Sequence, residues 1–105
     1  MISRIWHGYT THANAQEYEK LLREEIFVGI ANRHIRGYHG IQLLRRNLGE
    51  SVEFITEMWF DSIDAVKEFA GEDYEKCVVP EKARQILTTF DQRSQHFEVI
   101  SEKAN

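Results

Sequence analysis

The 105-residue chain has one cysteine, Cys77, and one proline, Pro80. A lone thiol excludes an internal disulfide and any cysteine-built zinc site, so neither a disulfide framework nor a zinc-nucleated fold is open to it. No apolar run approaches the roughly 20 residues that a membrane-spanning helix needs. The start, Met1-Ile-Ser-Arg-Ile-Trp6, soon reaches polar residues and lacks the basic-then-apolar shape of a secretory leader. The expectation is a soluble, cytoplasmic protein with no membrane partner. Basic residues are also scarce, 13 Lys and Arg against 17 Asp and Glu, for a net charge of −4. The adjacent pair Arg45-Arg46 would point to opposite faces of a strand and makes no stripe, so a nucleic-acid partner is not expected. No glycine-rich phosphate loop is present, and the five histidines form no H-x-x-x-H pair, so no nucleotide and no metal is expected. Linkers, repeats and low-complexity runs are missing too, and residues 1–105 read as a single domain.

What is there is a clear change of period. Ile2 to Thr10 alternates as a first strand, with Ile5, His7 and Tyr9 on one face and Arg4, Trp6 and Gly8 on the other. Asn14-Ala-Gln-Glu17 has the form of a capping box, and Tyr18, Leu21, Leu22, Ile26, Gly29 and Ile30 then recur at helical spacing to about Asn32. Tyr38 to Leu48 and Val52 to Phe60 read as a hairpin turning at Gly49. Asp61 or Ser62 can cap a helix that buries Ile63, Val66, Phe69 and Ala70 and stops at Gly71. Tyr74, Cys77 and Val78 suggest one further helical turn, and Pro80 suits the first position of another helix with Ala83, Ile86 and Leu87 inside. Arg93 to Ile100 alternates as a fourth strand.

Strand, helix, strand, strand, helix, strand is the split βαβ arrangement: a ferredoxin-like α+β fold with helices on one face of an antiparallel sheet. The strands carry bulky residues on both faces, so a second copy laid against the bare face is expected, closing two sheets into a dimeric α+β barrel.

The Glu57-x-Trp59 strand ending and the Asp-Ala-Val helix after it resemble the antibiotic biosynthesis monooxygenase family. Met58-Trp-Phe-Asp-Ser62, Phe69-Ala-Gly-Glu-Asp-Tyr74 and Phe90-Asp-Gln-Arg93 are similar to functionally undefined bacterial members. The resemblance implies a pocket between sheet and helices, with the dimer interface on the opposite sheet face. It also implies oxygenation of a small aromatic or quinol-like molecule without metal or flavin, so no cofactor is expected. Related members bind and degrade haem with an Asn on the first strand and a Trp and a His on and after the second helix. His7, Phe69 and Val78 fall near those places, so the haem-degrading set is absent.

Cofactor-free oxygenation needs a base, one or two donors and a dry aromatic cavity. His7 and His96, on strands expected to be neighbours, are the candidate bases, each with the alternative of a satisfied, partly buried histidine. Glu57, between Ile55 and Trp59, is a third candidate. Its alternative is a structural ion pair with Arg4, Arg45 or Arg93. Trp59, Phe69, Tyr9 and Phe54 are the candidate substrate-binding residues, with ordinary core packing as their alternative. A non-catalytic dimer that binds a small apolar metabolite is the other reading of the same residues.

Overall fold

Alternating stretches become a sheet and 3.6-period stretches a helical layer over one of its faces. In a computed structural model that describes residues 1–104, β1 (Ile2–Thr11), β2 (Tyr38–Leu48) and β3 (Ser51–Phe60) are the long strands. They pair in the order β2-β3-β1, all antiparallel. The short β4 (Thr89–Phe90) and β5 (Gln95–Glu98) both pair with the free side of β1. This is the ferredoxin-like order, with β1 at the centre. The fourth strand expected over residues 93–100 is shorter, Gln95–Glu98, and a separate piece, Thr89–Phe90, precedes it. Between them the chain leaves the sheet to meet residues 73–76: Lys76 bridges Arg93, Ser94 N donates to Glu75 O at 2.6 Å, and Arg93 is drawn to Asp73 and Glu75.

The first helix starts earlier than the capping-box pattern suggests. Thr11 is the cap, its hydroxyl accepting from Asn14 N at 3.2 Å, while the Asn14 side chain donates instead to Ile86 O at 3.5 Å. α1 (His12–Leu21) continues without a break through a π-helical turn (Leu22–Ile26) into α2 (Phe27–Asn32). α3 (Ile63–Ala70) is capped by Ser62, whose hydroxyl accepts from Ala65 N at 3.2 Å. Residues 72–79 form no helix, contrary to expectation. Pro80 stands at the cap of α4 (Glu81–Ile86) rather than inside it.

Two apolar clusters hold the layers together. Val52, Phe54, Tyr18, Leu22, Trp6 and Leu87 form one; Met58, Phe60, Val66 and Phe69 form the other. The Phe54 and Tyr18 rings, both fully buried, meet at 4.9 Å. Burial of each such ring contributes about 1.5–3 kcal/mol. Gly8 is required for this packing, since a Cβ there would lie 2.8 Å from the Trp6 ring folded over it. Period two then fixes the faces: Arg4, Trp6, Gly8 and Thr10 with Val52, Phe54, Thr56, Met58 and Phe60 lie under the helices. Ser3, Ile5, His7 and Tyr9 with Glu53, Ile55, Glu57 and Trp59 lie on the uncovered face, beside Leu44 and Phe97.

Candidate functional site

Beside the π turn the helical layer stands off the sheet and leaves a cleft. Its walls are Trp6, Phe27, Ile41, Met58 and Phe69, its floor carries Arg4, Thr56 and Ser94, and its enclosed part holds about 60 Å³. Through Ile26, Ile30, Phe69, Val78 and Pro80, which line both spaces, it opens into a groove of about 330 Å³ that reaches Gly29 and Arg33. Residues 71–80 form a strap along one edge of this opening. The π turn explains the gap. Phe27 N–H donates to Leu22 O, five residues back, so one extra residue swells the helix where Leu22 and Ile26 reach the cleft.

Arg4 is the unusual side chain. It is 3% exposed, in phase with Trp6 on the covered face of the central strand. Nη1 donates to Tyr74 O at 2.6 Å and to His96 Nε2 at 3.0 Å, and Nη2 donates to Lys76 O at 3.2 Å. The guanidinium carbon stands 5.4 Å from the centre of the Phe69 ring, and that of Arg33 stands 5.3 Å from the same centre. No carboxylate pairs with Arg4 among the described residues. Burial lowers its pKa to about 10, so it stays protonated at neutral pH.

His96 is fixed by this contact. A guanidinium only donates, so Nε2 must accept and the proton of the neutral ring sits on Nδ1, which is buried without a partner. Burial, and then the charge of Arg4, pulls the imidazole down to about 4, against a weaker upward pull from Glu75. With its accepting nitrogen occupied and its pKa this low, His96 is a poor base at neutral pH, contrary to the role expected for it. It is a neutral acceptor behind Arg4, edge-on to Tyr74 at 5.2 Å.

The remaining candidates divide between the two faces. His7 and His96 do lie on paired strands but on opposite sides of the sheet, so they cannot share a substrate. His7 is on the uncovered face, its Nδ1 held 2.7 Å from Asp91 Oδ2, which also accepts from His7 N at 2.9 Å. Tyr9 donates its hydroxyl to Glu53 at 3.1 Å, and Glu53 also pairs with Arg46 at 2.6 Å. Glu57 accepts from Ser3 Oγ at 2.7 Å and pairs with none of the arginines considered for it. Arg45 and Arg93 are taken by Glu19 and by Asp73 with Glu75, and Arg4 faces the other way. Trp59 is on the uncovered face and does not shape the cleft. Phe54 is core beneath Tyr18. Of the seven candidates only Phe69 lines the cleft. Arg4, Thr56 and Ser94 were missed, although an arginine on the Trp6 face of a strand was a readable signal.

No family model and no curated protein matches the chain. Solved structures do match. A candidate antibiotic biosynthesis monooxygenase from Bacillus cereus superposes with a TM-score of 0.68 over 99% of this chain and 97% of that one, at 14% identity. The chain shares its fold with that monooxygenase group. The haem degrader MhuD from Mycobacterium tuberculosis, with two haems bound in its active site, superposes with a TM-score of 0.63 at 23% identity over 99% and 100% of the two chains. A dimeric ferredoxin-like protein from an uncultured marine organism gives 0.55 at 13% identity, over 99% of this chain and 98% of that one. At these identities the likeness establishes the fold, and the ferredoxin-like expectation holds. A haem site does not fit the residues present. Phe69 and Val78 stand in the cleft and its mouth, no histidine or cysteine lines either space among the described residues, and no cluster there could hold a metal. No helix among them is long and apolar enough to cross a membrane.

Proposed function

We propose that the cleft binds a small aromatic or quinol-like molecule and that the protein oxygenates it without a metal or an organic cofactor. The observation that carries this reading is the chemistry of the cleft: apolar and aromatic walls around a permanent cation. In such a reaction the substrate supplies the electrons. A phenol and O₂ give a quinone and water: one oxygen atom enters the ring, and the other leaves with the ring hydrogen and the hydroxyl proton. The protein has to hold the ring in a dry place and stabilise negative charge on it, which a desolvated guanidinium does far better than water.

The uncovered sheet face belongs to a second copy in this reading. Ile5, Leu44, Ile55, Trp59 and Phe97 give it an apolar centre, and Leu44 and Phe97 are 42% and 53% exposed in the single chain. His7, backed by Asp91, and Glu57 then serve the contact between copies rather than the reaction.

The test is oxygen uptake with a panel of hydroxynaphthalenes and hydroxyanthracenes, corrected for their spontaneous oxidation, with ¹⁸O₂ to follow one labelled atom into product. Ile30→Trp, which fills the mouth of the cleft, should abolish turnover while leaving the circular dichroism unchanged. Uptake that survives this substitution would place the chemistry elsewhere. Saturable binding with no oxygen consumed would make the protein a metabolite-binding dimer instead.

A further inference from the structure

Buried charges in proteins are paired, because an ion taken out of water loses several kcal/mol of hydration that a partner must offset. Arg4 breaks this rule. Its three hydrogen bonds go to two main-chain carbonyls and a neutral imidazole, which share its protons and leave its charge uncancelled. A guanidinium has five N–H groups, so the protein uses only part of the fork. The surroundings add to the imbalance. Arg33, at the mouth, donates to the Glu68 and Phe69 carbonyl oxygens at 2.9 and 3.2 Å and has no carboxylate partner among the described residues either. The acid that lines the mouth, Glu25, is neutralised by Lys82 at 2.9 Å. A protein of net charge −4 thus holds two guanidiniums without carboxylate partners near Phe69, Arg4 inside the cleft and Arg33 at its opening.

We infer that the ligand of the cleft is an aromatic anion, a carboxylate, sulfonate or ionised enol, whose negative charge sits on Arg4 while its ring lies against Phe69 and Trp6. The inference rests on the cleft being the binding site. It also answers a gap in the reaction, because no carboxylate lines the cleft and the one nearby imidazole is occupied. No side chain there is free to take a proton. A ligand that meets Arg4 already ionised needs no base from the protein. Arg4 is the specificity-determining residue and His96, fixed as an acceptor, is the positioning residue that keeps the fork turned inward.

The probes are 8-anilinonaphthalene-1-sulfonate and its uncharged parent N-phenyl-1-naphthylamine, which share one ring system and differ by the sulfonate. Titrated by fluorescence, the wild-type chain should bind the sulfonate at one site per chain at least about tenfold more tightly than the parent, as a charge-assisted contact in a dry site implies. In Arg4→Met the preference should vanish while the parent still binds. Because Arg4 also ties the strap through Tyr74 and Lys76, Arg4→Lys is run beside it; it keeps the charge, loses the fork, and should retain part of the preference. The wild-type ratio needs no variant at all. Equal affinity for the two probes in wild type, or a preference that survives Arg4→Met, would overturn the inference while leaving the cleft as a neutral-ligand site. Binding of both probes that persists in Ile30→Trp would place them outside the cleft and overturn the cleft reading with it.

Discussion

Replacing His96 with glutamine should flatten the acid limb of the stability curve. The imidazole falls from its ordinary 6.5 to about 4 in the fold. The folded ring therefore stays neutral where the unfolded chain has already taken up a proton. Above pH 6.5 neither state binds that proton and His96 contributes no pH dependence. As pH falls from 6.5 towards 4 the unfolded state is favoured progressively, and below 4 both states are protonated and the effect saturates. At about 1.4 kcal/mol per pKa unit the full effect approaches about 3 kcal/mol. The ring is partly solvated, and screening reduces the figure to about 1–2 kcal/mol. The amide introduced by His96→Gln carries an oxygen able to accept from Arg4 and has no proton to gain. Urea unfolding followed by tryptophan fluorescence, at about pH 7 and about pH 4.5 and at one fixed protein concentration, isolates the difference. Wild type should lose most of that 1–2 kcal/mol more than His96→Gln between the two pH values. Equal losses in the two proteins would refute the assignment of His96 as a buried, neutral acceptor.

Two further outcomes follow from the sheet and its connections. On the proposal that two copies meet across the uncovered face, wild type should run as a dimer in light scattering after gel filtration and Trp59→Glu, which puts a charge in the apolar centre of that face, as a monomer with its circular dichroism kept; a monomeric wild type or an unaltered dimer would overturn that contact. Gly37→Ala forces a side chain into a backbone at φ +83°, with its Cβ 3.0 Å from that of Ala65. It should cost more than about 1 kcal/mol in equilibrium unfolding, and no loss would mean that the turn joining β2 to the Asp61 amide relaxes freely.

The fold was legible because its signals are local. The β1 alternation sorted Arg4 and Trp6 from His7 and Tyr9 correctly, Ser62 is one of the two caps expected for α3, and its Gly71 stop was read at its position. Which face the helices cover was not legible, because both carry large side chains and the choice depends on where α1 and α3 land. That single ambiguity separates four of the candidates from the cleft: His7, Tyr9, Glu57 and Trp59 follow one another onto the uncovered face by period two. His96 was drawn the other way, since β5 pairs with β1 through an Arg4–His96 step. The Asn14 capping box failed because Thr11, three residues earlier, reaches the same kind of amide at the end of the strand, and Asn14 is spent on Ile86. Arg4 was read only as an ion-pair partner for Glu57, because composition ranks an arginine as surface. Only the tertiary structure encloses it beneath the strap.

The π turn between α1 and α2 also acts as a phase shift. Each residue of an α-helix advances the side chain by about 100° around the axis. A single surplus residue therefore leaves α1 and α2 on one rod but turns different meridians of it towards the protein. α1 buries Ala15 and Tyr18; beyond the surplus residue, Ile26, Gly29, Ile30 and Arg33 line the opening. The side chains offered to a ligand are set by a count of residues as much as by their kinds. Loss or gain of one residue at Arg23 or Glu24 would turn other side chains towards the opening while every residue around the cleft kept its identity.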